Sequence, residues 1–161
     1  MAWQNGDGLR LKYGSERAVP TIGGEYRTYG RLHEVEFKID LTALTEAENV
    51  LSDVTVIPSG VIIQEVEINA RTAAATGVAI DLGLIKLDRT TEVDYDGMLA
   101  AFPTASMNAA GEKVIISDNT TYDGALVGAA TAYPAFVTCS RTTATAFTAG
   151  YVIVTIRYWK A

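Results

Sequence analysis

Residues 151–159, Tyr-Val-Ile-Val-Thr-Ile-Arg-Tyr-Trp, show the alternation that decides the fold class. One parity is apolar and consists of Val152, Val154, Ile156 and Tyr158. The other parity includes Thr155 and Arg157. A period of two places the two sets on opposite faces of a β-strand, with the apolar face over a core. This stretch therefore predicts a strand that closes a β-rich domain.

The strand ends a long segment of low charge. From Gly124 to Ile156 the only charged residue is Arg141, and Thr, Ala, Gly and β-branched residues dominate. Such a composition predicts buried sheet. The burial can lie within this domain or in contacts between subunits, and we expect the second to contribute through self-association.

Further strands are expected from residue 32 onward. Val35, Phe37 and Ile39 alternate with charged residues, as in a strand with one wet face. Residues 50–57 and 61–70 flank Pro58-Ser59-Gly60 and predict a hairpin, with Ile62, Val66 and Ile68 on one face of its second strand. Gly83, inside another apolar run, predicts a bulge or a close backbone approach.

Helical signals are short. Residues 41–48, with Thr45 and Glu48 at capping-box spacing, predict one helical turn, and residues 98–102 predict another. Seven or eight short strands without long helices are typical of a sandwich. We therefore predict an all-β fold, a single jelly-roll-like β-sandwich over residues 31–161 with an extended N-terminal arm over residues 1–30.

The predicted arm contains six glycines and several aromatic residues without sustained periodicity. Glycine-rich backbone is costly to order by itself, so we expect the aromatic side chains to dock on a surface. That surface can belong to this domain or to another protein, and the sequence leaves both open.

Composition excludes several function classes. The chain has 161 residues, 13 basic against 19 acidic, and a formal net charge of −6. This charge argues against direct contact with nucleic acid, which requires clustered cations. The start of the sequence lacks the basic and apolar regions of a signal peptide, and residues 124–140 are too interrupted by polar residues for a membrane span. We expect synthesis in the cytoplasm and no membrane contact.

Catalytic and metal-binding patterns are sparse. Asp88, Glu92, Asp94 and Asp96 form the densest acidic cluster, and Asp94–Gly97 partly matches a calcium loop that lacks its remaining ligands. We expect a turn in a solvated loop, with a metal ion in the Asp88–Asp96 loop as the open alternative. The single His33, the lone Cys139 and the absence of nucleotide-binding motifs predict no enzyme and no cofactor.

A series of motifs resembles the head decoration (cement) proteins of tailed bacteriophages. In chain order these motifs are Gln4–Gly14, Gly24–Gly30, Val56–Val61, Asp81–Leu84, Asp94–Met98, Gly124–Gly128 and Phe147–Tyr151, followed by a strand that ends at Tyr158. The resemblance implies a jelly-roll-like trimer that binds the outside of an icosahedral shell and bridges neighbouring major capsid protein subunits. Its location would be the host cytoplasm during assembly and then the outer capsid surface of the virion.

The family has no catalytic residues to transfer to this chain. For shell contact we single out the apolar and aromatic residues of the arm, which are Trp3, Leu9, Leu11, Tyr13, Tyr26 and Tyr29.

Two other functions fit the same composition. One is a phage fibre, tail or head-fibre module that binds host surface glycans, although this chain lacks the repeats of a fibre shaft. The other is a carbohydrate-binding sandwich, which should present an aromatic platform, whereas the tyrosines here are scattered.

Overall fold

The computed structural model describes residues 32–160, which form two antiparallel β-sheets packed face to face. The strands are β1 (Leu32–Asp40), β2 (Asn49–Val50), β3 (Val56–Ile57), β4 (Val61–Ala75), β5 (Ala79–Lys86), β6 (Glu92–Pro103), β7 (Lys113–Ser117), β8 (Ala135–Arg141) and β9 (Ala149–Lys160). The first sheet has the order β1-β9-β4-β7. The second has the order β2-β8-β5-β6, and β3 also pairs with β8. This arrangement confirms the all-β sandwich prediction.

The order of pairing makes the sandwich a jelly roll. β2 and β3 pair with successive parts of β8, so they serve as one interrupted strand. The first strand then pairs with the last, the second with the last but one, and so on inward: β1 with β9, β2/β3 with β8, β4 with β7, and β5 with β6. The pairs β4–β9 and β5–β8 complete the two sheets. This is the double Greek key of jelly-roll domains.

The core lies between the two sheets and follows the alternation predicted for β9. Val152, Val154 and Ile156 are fully buried, and Tyr158 is 7% exposed. On the neighbouring β1 the inward side chains are Val35, Phe37 and Ile39. The facing sheet contributes Leu82, Leu84, Val137 and Cys139. Cys139 is thus a small buried apolar side chain.

The predicted hairpin around Pro58-Ser59-Gly60 is wrong. The turn forms, with Gly60 at φ +69°, but β3 pairs with β8 in the second sheet, whereas β4 pairs with β9 and β7 in the first. Chain turns between strands of opposite sheets are the corners of a sandwich. Local turn chemistry is the same in both cases, so it does not specify the partner strand.

The predicted face of Ile62 is also wrong. The β4–β9 register shifts between Ile63 and Glu65, where Gln64 forms a bulge. One extra residue reverses the parity of the strand. Ile63 therefore enters the core, while Ile62 lies on the outer face beside Trp159, its partner in the register.

The helical turns differ from prediction in position. Residues 98–102 lie within β6, and the nearby 3-10 turn spans Thr104–Met107. The other 3-10 turn spans Leu41–Ala43 and is capped by Asp40, whose Oδ1 accepts a hydrogen bond from Thr42 N at 3.0 Å. Glu48 takes no part in a capping box, because its Oε1 accepts a hydrogen bond from Ser140 Oγ at 2.6 Å.

Candidate functional surfaces

A charge network occupies the outer face of the first sheet. Arg157 on β9 lies between β1 and β4, with Nε 2.8 Å from Glu34 Oε2, Nη1 2.5 Å from Glu65 Oε1 and Nη2 3.1 Å from Glu67 Oε2. Lys113 Nζ on β7 lies 2.9 Å from Glu67 Oε1. The hydrogen bond from Lys113, joined by that from Arg157, holds the pKa of Glu67 below its usual value despite burial. This network fixes four strands side by side.

An apolar row crosses the same face at the end where β1 begins. Leu32, Trp159 and Ile62 are neighbours in the register of β1, β9 and β4. Leu32 is 56% exposed, whereas Trp159 and Ile62 are half-buried. Directly opposite residues lie within side-chain contact, so the row is continuous.

More exposed apolar side chains lie at this end. Leu87 is in the β5–β6 turn and Tyr133 lies two residues before β8, with Lys86 Nζ 4.0 Å from the Tyr133 ring centroid. Val54, which is 88% exposed, follows Asp53, and Asp53 forms an ion pair with Arg89 of the same turn at 2.8 Å. This end of the sandwich, together with Leu32, therefore presents apolar side chains mixed with cations.

The outer face of the second sheet is covered by this chain itself. The β5–β6 register shifts between Leu82–Leu99 and Leu84–Asp94, so extra residues of β6 bulge over β5. A Cβ added at Gly83 would overlap the backbone of Asp94 and Tyr95. The close backbone approach predicted at Gly83 is therefore present.

The predicted acidic loop is a turn only at its start, because Asp94, Asp96 and Gly97 lie within β6. Asp88 Oδ1 accepts hydrogen bonds from Thr90 N and Thr91 N, and Oδ2 accepts one from Thr91 Oγ1 at 2.6 Å. These bonds lower the pKa of Asp88 to about 2. Burial raises the pKa of Asp94, as does its neighbour Asp96. Within residues 32–160 no three His, Cys, Asp or Glu side chains are placed so that they could hold a metal ion together.

A second group of carboxylates lies over β5 and β8. Glu48 accepts from Ser140 Oγ, and Asp81, which is opposite Ser140 in the register, accepts from Ala101 N at 2.7 Å. Burial raises the pKa of both carboxyls, and the charge of Asp81 adds to the shift at Glu48. Glu48 Oε2 and Thr138 Oγ1 are buried without a hydrogen-bond partner in the described structure.

The charge-poor segment from Gly124 to Ile156 is largely core of this same chain. Its buried apolar side chains include Val127, Ala135, Val137, Phe147, Val152 and Val154. Tyr133 is its exposed large apolar residue. Burial within this chain therefore accounts for the low charge of the segment without a second subunit. Self-association remains a prediction that rests on the resemblance to decoration proteins.

The predicted arm residues Trp3, Leu9, Leu11, Tyr13, Tyr26 and Tyr29 lie outside the described residues. Sequence reasoning did not identify the Arg157 network or the row at Leu32. The Arg157 network and the row at Leu32 both arise from the pairing of β1 and β4 with β9. The sequence of one strand does not reveal which strands will be its neighbours. No helix in the described part of the chain is long and apolar enough to cross a membrane.

The fold is similar to chains in solved phage capsids. A chain of the cyanophage Pam1 capsid asymmetric unit aligns with a TM-score of 0.51 and 13% identity, covering 95% of this chain and 100% of that one. A chain of the capsid of Ralstonia phage GP4 gives 0.54 and 14%, with 89% and 90% coverage. The acidic stable capsid of Helicobacter pylori bacteriophage KHP30 gives 0.50 and 10%, with 80% and 86%.

By contrast, no protein-family model matches the sequence, and no curated protein matches it. At such low identities the structural similarity demonstrates a shared fold.

Proposed function

We propose that this protein is a structural component of a bacteriophage capsid, and specifically a decoration protein that binds the outer surface of the head. The observation that carries this proposal is the similarity of its jelly roll to chains of three phage capsids. Each alignment spans at least 80% of both chains, so the likeness concerns whole domains. The order of the sequence motifs, which resembles that of cement proteins, supports the same role.

Charge favours the outside of the shell. Packaged DNA fills the interior with phosphates, and proteins that contact it need clustered cations. This chain carries a net charge of −6, and Arg157 and Lys113 on its first sheet are paired with carboxylates. An acidic surface is repelled by DNA and is well suited to solvent.

The proposed role is adhesion, with no chemical step. The one histidine of this chain, His33, stacks on Tyr158 with a separation of 5.4 Å between ring centroids. Burial raises the pKa of the Cys139 thiol, which disfavours the reactive thiolate. Both side chains are thereby used in packing. The proposed partners are the major capsid protein and two further copies of this chain in a trimer.

In this proposal the arm, residues 1–30, bridges neighbouring capsid subunits. Large aromatic side chains dominate interface energies, and ordering an arm must be offset by burying them. Trp3, Leu9, Leu11, Tyr13, Tyr26 and Tyr29 would supply that buried surface. Many copies per particle would multiply a modest contribution from each arm.

The experiment adds purified full-length protein to capsids that lack it, then measures occupancy and the temperature at which DNA is released. We expect saturable binding and a higher release temperature. Trp3→Ala combined with Tyr13→Ala should weaken binding by about tenfold or more, because each truncation at an anchor costs at least about 1 kcal/mol.

The matched control is Val78→Ala, which removes an exposed apolar side chain outside the candidate surfaces. It should bind like the unmodified protein. If the full-length chain binds no capsid but binds host cells or glycans, the fibre-module function replaces this one. If the double variant binds as tightly as the original, the bridge lies elsewhere on the protein.

A further inference from the structure

The first sheet ends in an unusually regular open edge. β1 pairs with β9 over nine consecutive residues without a register shift, and no strand within residues 32–160 pairs with its other side. Long, flat edges are templates for an additional strand, and proteins usually cover or disrupt them. The β1 edge has no bulge and no proline, and its protection is limited to the exposed charged side chains of Glu34, Glu36 and Lys38.

The backbone groups available at this edge follow from the hydrogen-bond pattern across the sheet. Ala70 on β4 bonds toward β7, since its N donates to Glu112 O at 2.8 Å and its O accepts from Gly111 N at 2.7 Å. In antiparallel ladders successive residues bond to opposite sides. The N–H and C=O groups of even-numbered residues from 66 to 70 thus point toward β7, and those of the odd-numbered residues point toward β9. The same alternation continues through β9 to β1. The even-numbered residues of β1, starting with Leu32, therefore direct their N–H and C=O groups away from β9, toward the open edge.

The segment just before β1 has the sequence of a matching strand. Gly30 and Arg31 separate Tyr29 from Leu32, and glycine in the first central position is the signature of a two-residue type II′ hairpin turn. In such a turn the residue that follows it exchanges backbone hydrogen bonds with the residue that precedes it. Leu32 can do so, because its backbone groups point toward the open edge. We propose that residues 24–29 fold back as a strand on the open edge of β1, with Tyr29 opposite Leu32.

Side chains support this register. On the outer face, Tyr29 would extend the apolar row of Leu32, Trp159 and Ile62, and would cover the 56% exposed Leu32. One pair further, Arg27 would lie opposite Glu34, which already binds Arg157. Across four strands of the outer face, the charge would then alternate between positive and negative in the order Arg27, Glu34, Arg157 and Glu65. Opposite charges in directly facing positions stabilise a sheet.

On the inner face, Tyr26 would lie opposite the half-buried Val35, which packs against the core. A shift of one residue would reverse every one of these contacts, because it moves all side chains to the other face. The pairs Tyr29–Leu32, Arg27–Glu34 and Tyr26–Val35 favour this register from both faces, whereas the like charges of Glu25 and Glu36, which would also lie opposite each other, oppose it.

This strand changes where the arm leaves the domain. Without it, residues 1–30 would depart beside Leu32; with it, residues 1–23 depart near Asp40, at the opposite end of the sandwich. Tyr26 then belongs to the domain and no longer to the proposed capsid-contact residues. The inference holds whether or not the protein binds a capsid.

A cysteine pair tests the register in the full-length protein. Thr28 and His33 would face each other at about 4.5–5.5 Å between Cα atoms, which a disulfide can span. The double variant Thr28→Cys/His33→Cys should therefore form an intramolecular disulfide with nearly complete loss of the two new thiols. Cys139 is fully buried and should stay reduced.

The matched control is Arg27→Cys/His33→Cys, whose side chains would lie on opposite faces of the sheet and should keep both thiols. Equal cross-linking of the two variants, or none in either, overturns the proposal. A disulfide-linked dimer at low micromolar concentration also overturns it, in favour of a second copy on this edge.

Amide hydrogen exchange of the unmodified full-length protein provides a test without substitutions. The outward amides of Leu32, Glu34 and Glu36 should exchange as slowly as those of His33 and Val35, which bond to β9. Rapid exchange confined to the three outward amides would show that the edge is open and would refute the additional strand.

Discussion

At the residue scale, Arg157 is the most connected side chain of the first sheet, and its removal has a definite expected cost. Arg157→Leu would leave Glu65 and the buried Glu67 without their shared cation. Breaking one partner of a buried ion pair is strongly destabilising. Because Arg157 is 23% exposed and Lys113 remains near Glu67, we expect a loss of about 2 kcal/mol in the free energy of unfolding.

The dependence on pH separates this charge effect from lost packing. The lowered pKa of Glu67 gives stability that is present above its ordinary value of 4.5 and is lost as the pH falls through the folded-state pKa. Urea unfolding should therefore show a smaller difference between Arg157→Leu and the original protein at pH 3 than at pH 7. The exposed Arg71→Leu serves as the control. A difference that is constant with pH would contradict the electrostatic account.

At the scale of single elements, the bulge of β6 over Gly83 predicts a severe effect of one methyl group. In Gly83→Ala the new Cβ would overlap backbone atoms of Asp94 and Tyr95, which cannot move away as a side chain end can. We expect a loss of about 3 kcal/mol, at the upper end for overpacking, measured as a lower denaturation midpoint.

The matched control is Gly60→Ala. Gly60 has φ +69°, but no atom lies within 4 Å of the point where a Cβ would be added, so the substitution carries backbone strain without overlap. Its cost should be about 1 kcal/mol. Because Gly83 itself has no positive φ, equal effects of the two substitutions would indicate that the backbone of Asp94 and Tyr95 moves away and that the close approach does not make Gly83 necessary.

Strands were predictable from the sequence where the alternation of apolar and polar residues lies within the strand itself. The alternation in β1 and β9 identifies the inward side chains correctly, because one face of each strand is wet or polar. The partner of β3 and the face of Ile62 were not predictable, since the first depends on sheet closure and the second on a bulge at Gln64. The first is set by residues distant in sequence, and the second becomes visible only in the pairing of β4 with β9.

The candidate surfaces were less predictable than the strands. The turn expected at Asp96-Gly97 was wrong, because these residues lie within β6, whereas the turn that forms lies at Asp88 and has local hydrogen bonds. The Arg157 network joins residues on β1, β4, β7 and β9, so it becomes visible only after the register is known. The arm was predicted from composition, and its role remains a prediction.

At the scale of the whole molecule, two sets of carboxyls predict a stability maximum at mildly acidic pH. Glu48 and Asp81 have raised pKa values, so their folded forms are favoured by protonation and stability increases as the pH falls through those values. Glu67 and Asp88 have lowered pKa values, so their contributions are lost at still lower pH. Thermal unfolding measured from acidic to mildly alkaline pH should peak between about pH 4 and 6.

Glu48→Gln should flatten the neutral side of this profile. The amide keeps an acceptor for Ser140 and offers a donor near the unpartnered Thr138 Oγ1, with no charge to bury. We expect a gain of about 0.5–1 kcal/mol at neutral to alkaline pH that shrinks as the pH falls. The exposed neighbour variant Glu46→Gln should leave the profile unchanged. A stability that rises steadily into the alkaline range would contradict the assignment.

The position of β9 also governs how the chain acquires its structure during synthesis. The last strand of the sandwich lies between β1 and β4, so the first sheet lacks one of its two central strands until residue 160 has left the ribosome. Pairing of β1 must wait for a partner more than a hundred residues later, and such non-local closure makes folding slow. Nascent and truncated chains would expose the apolar faces of β1 and β4, which makes them substrates for chaperones and proteases. Fully folded copies would accordingly arise only after translation of the domain is complete.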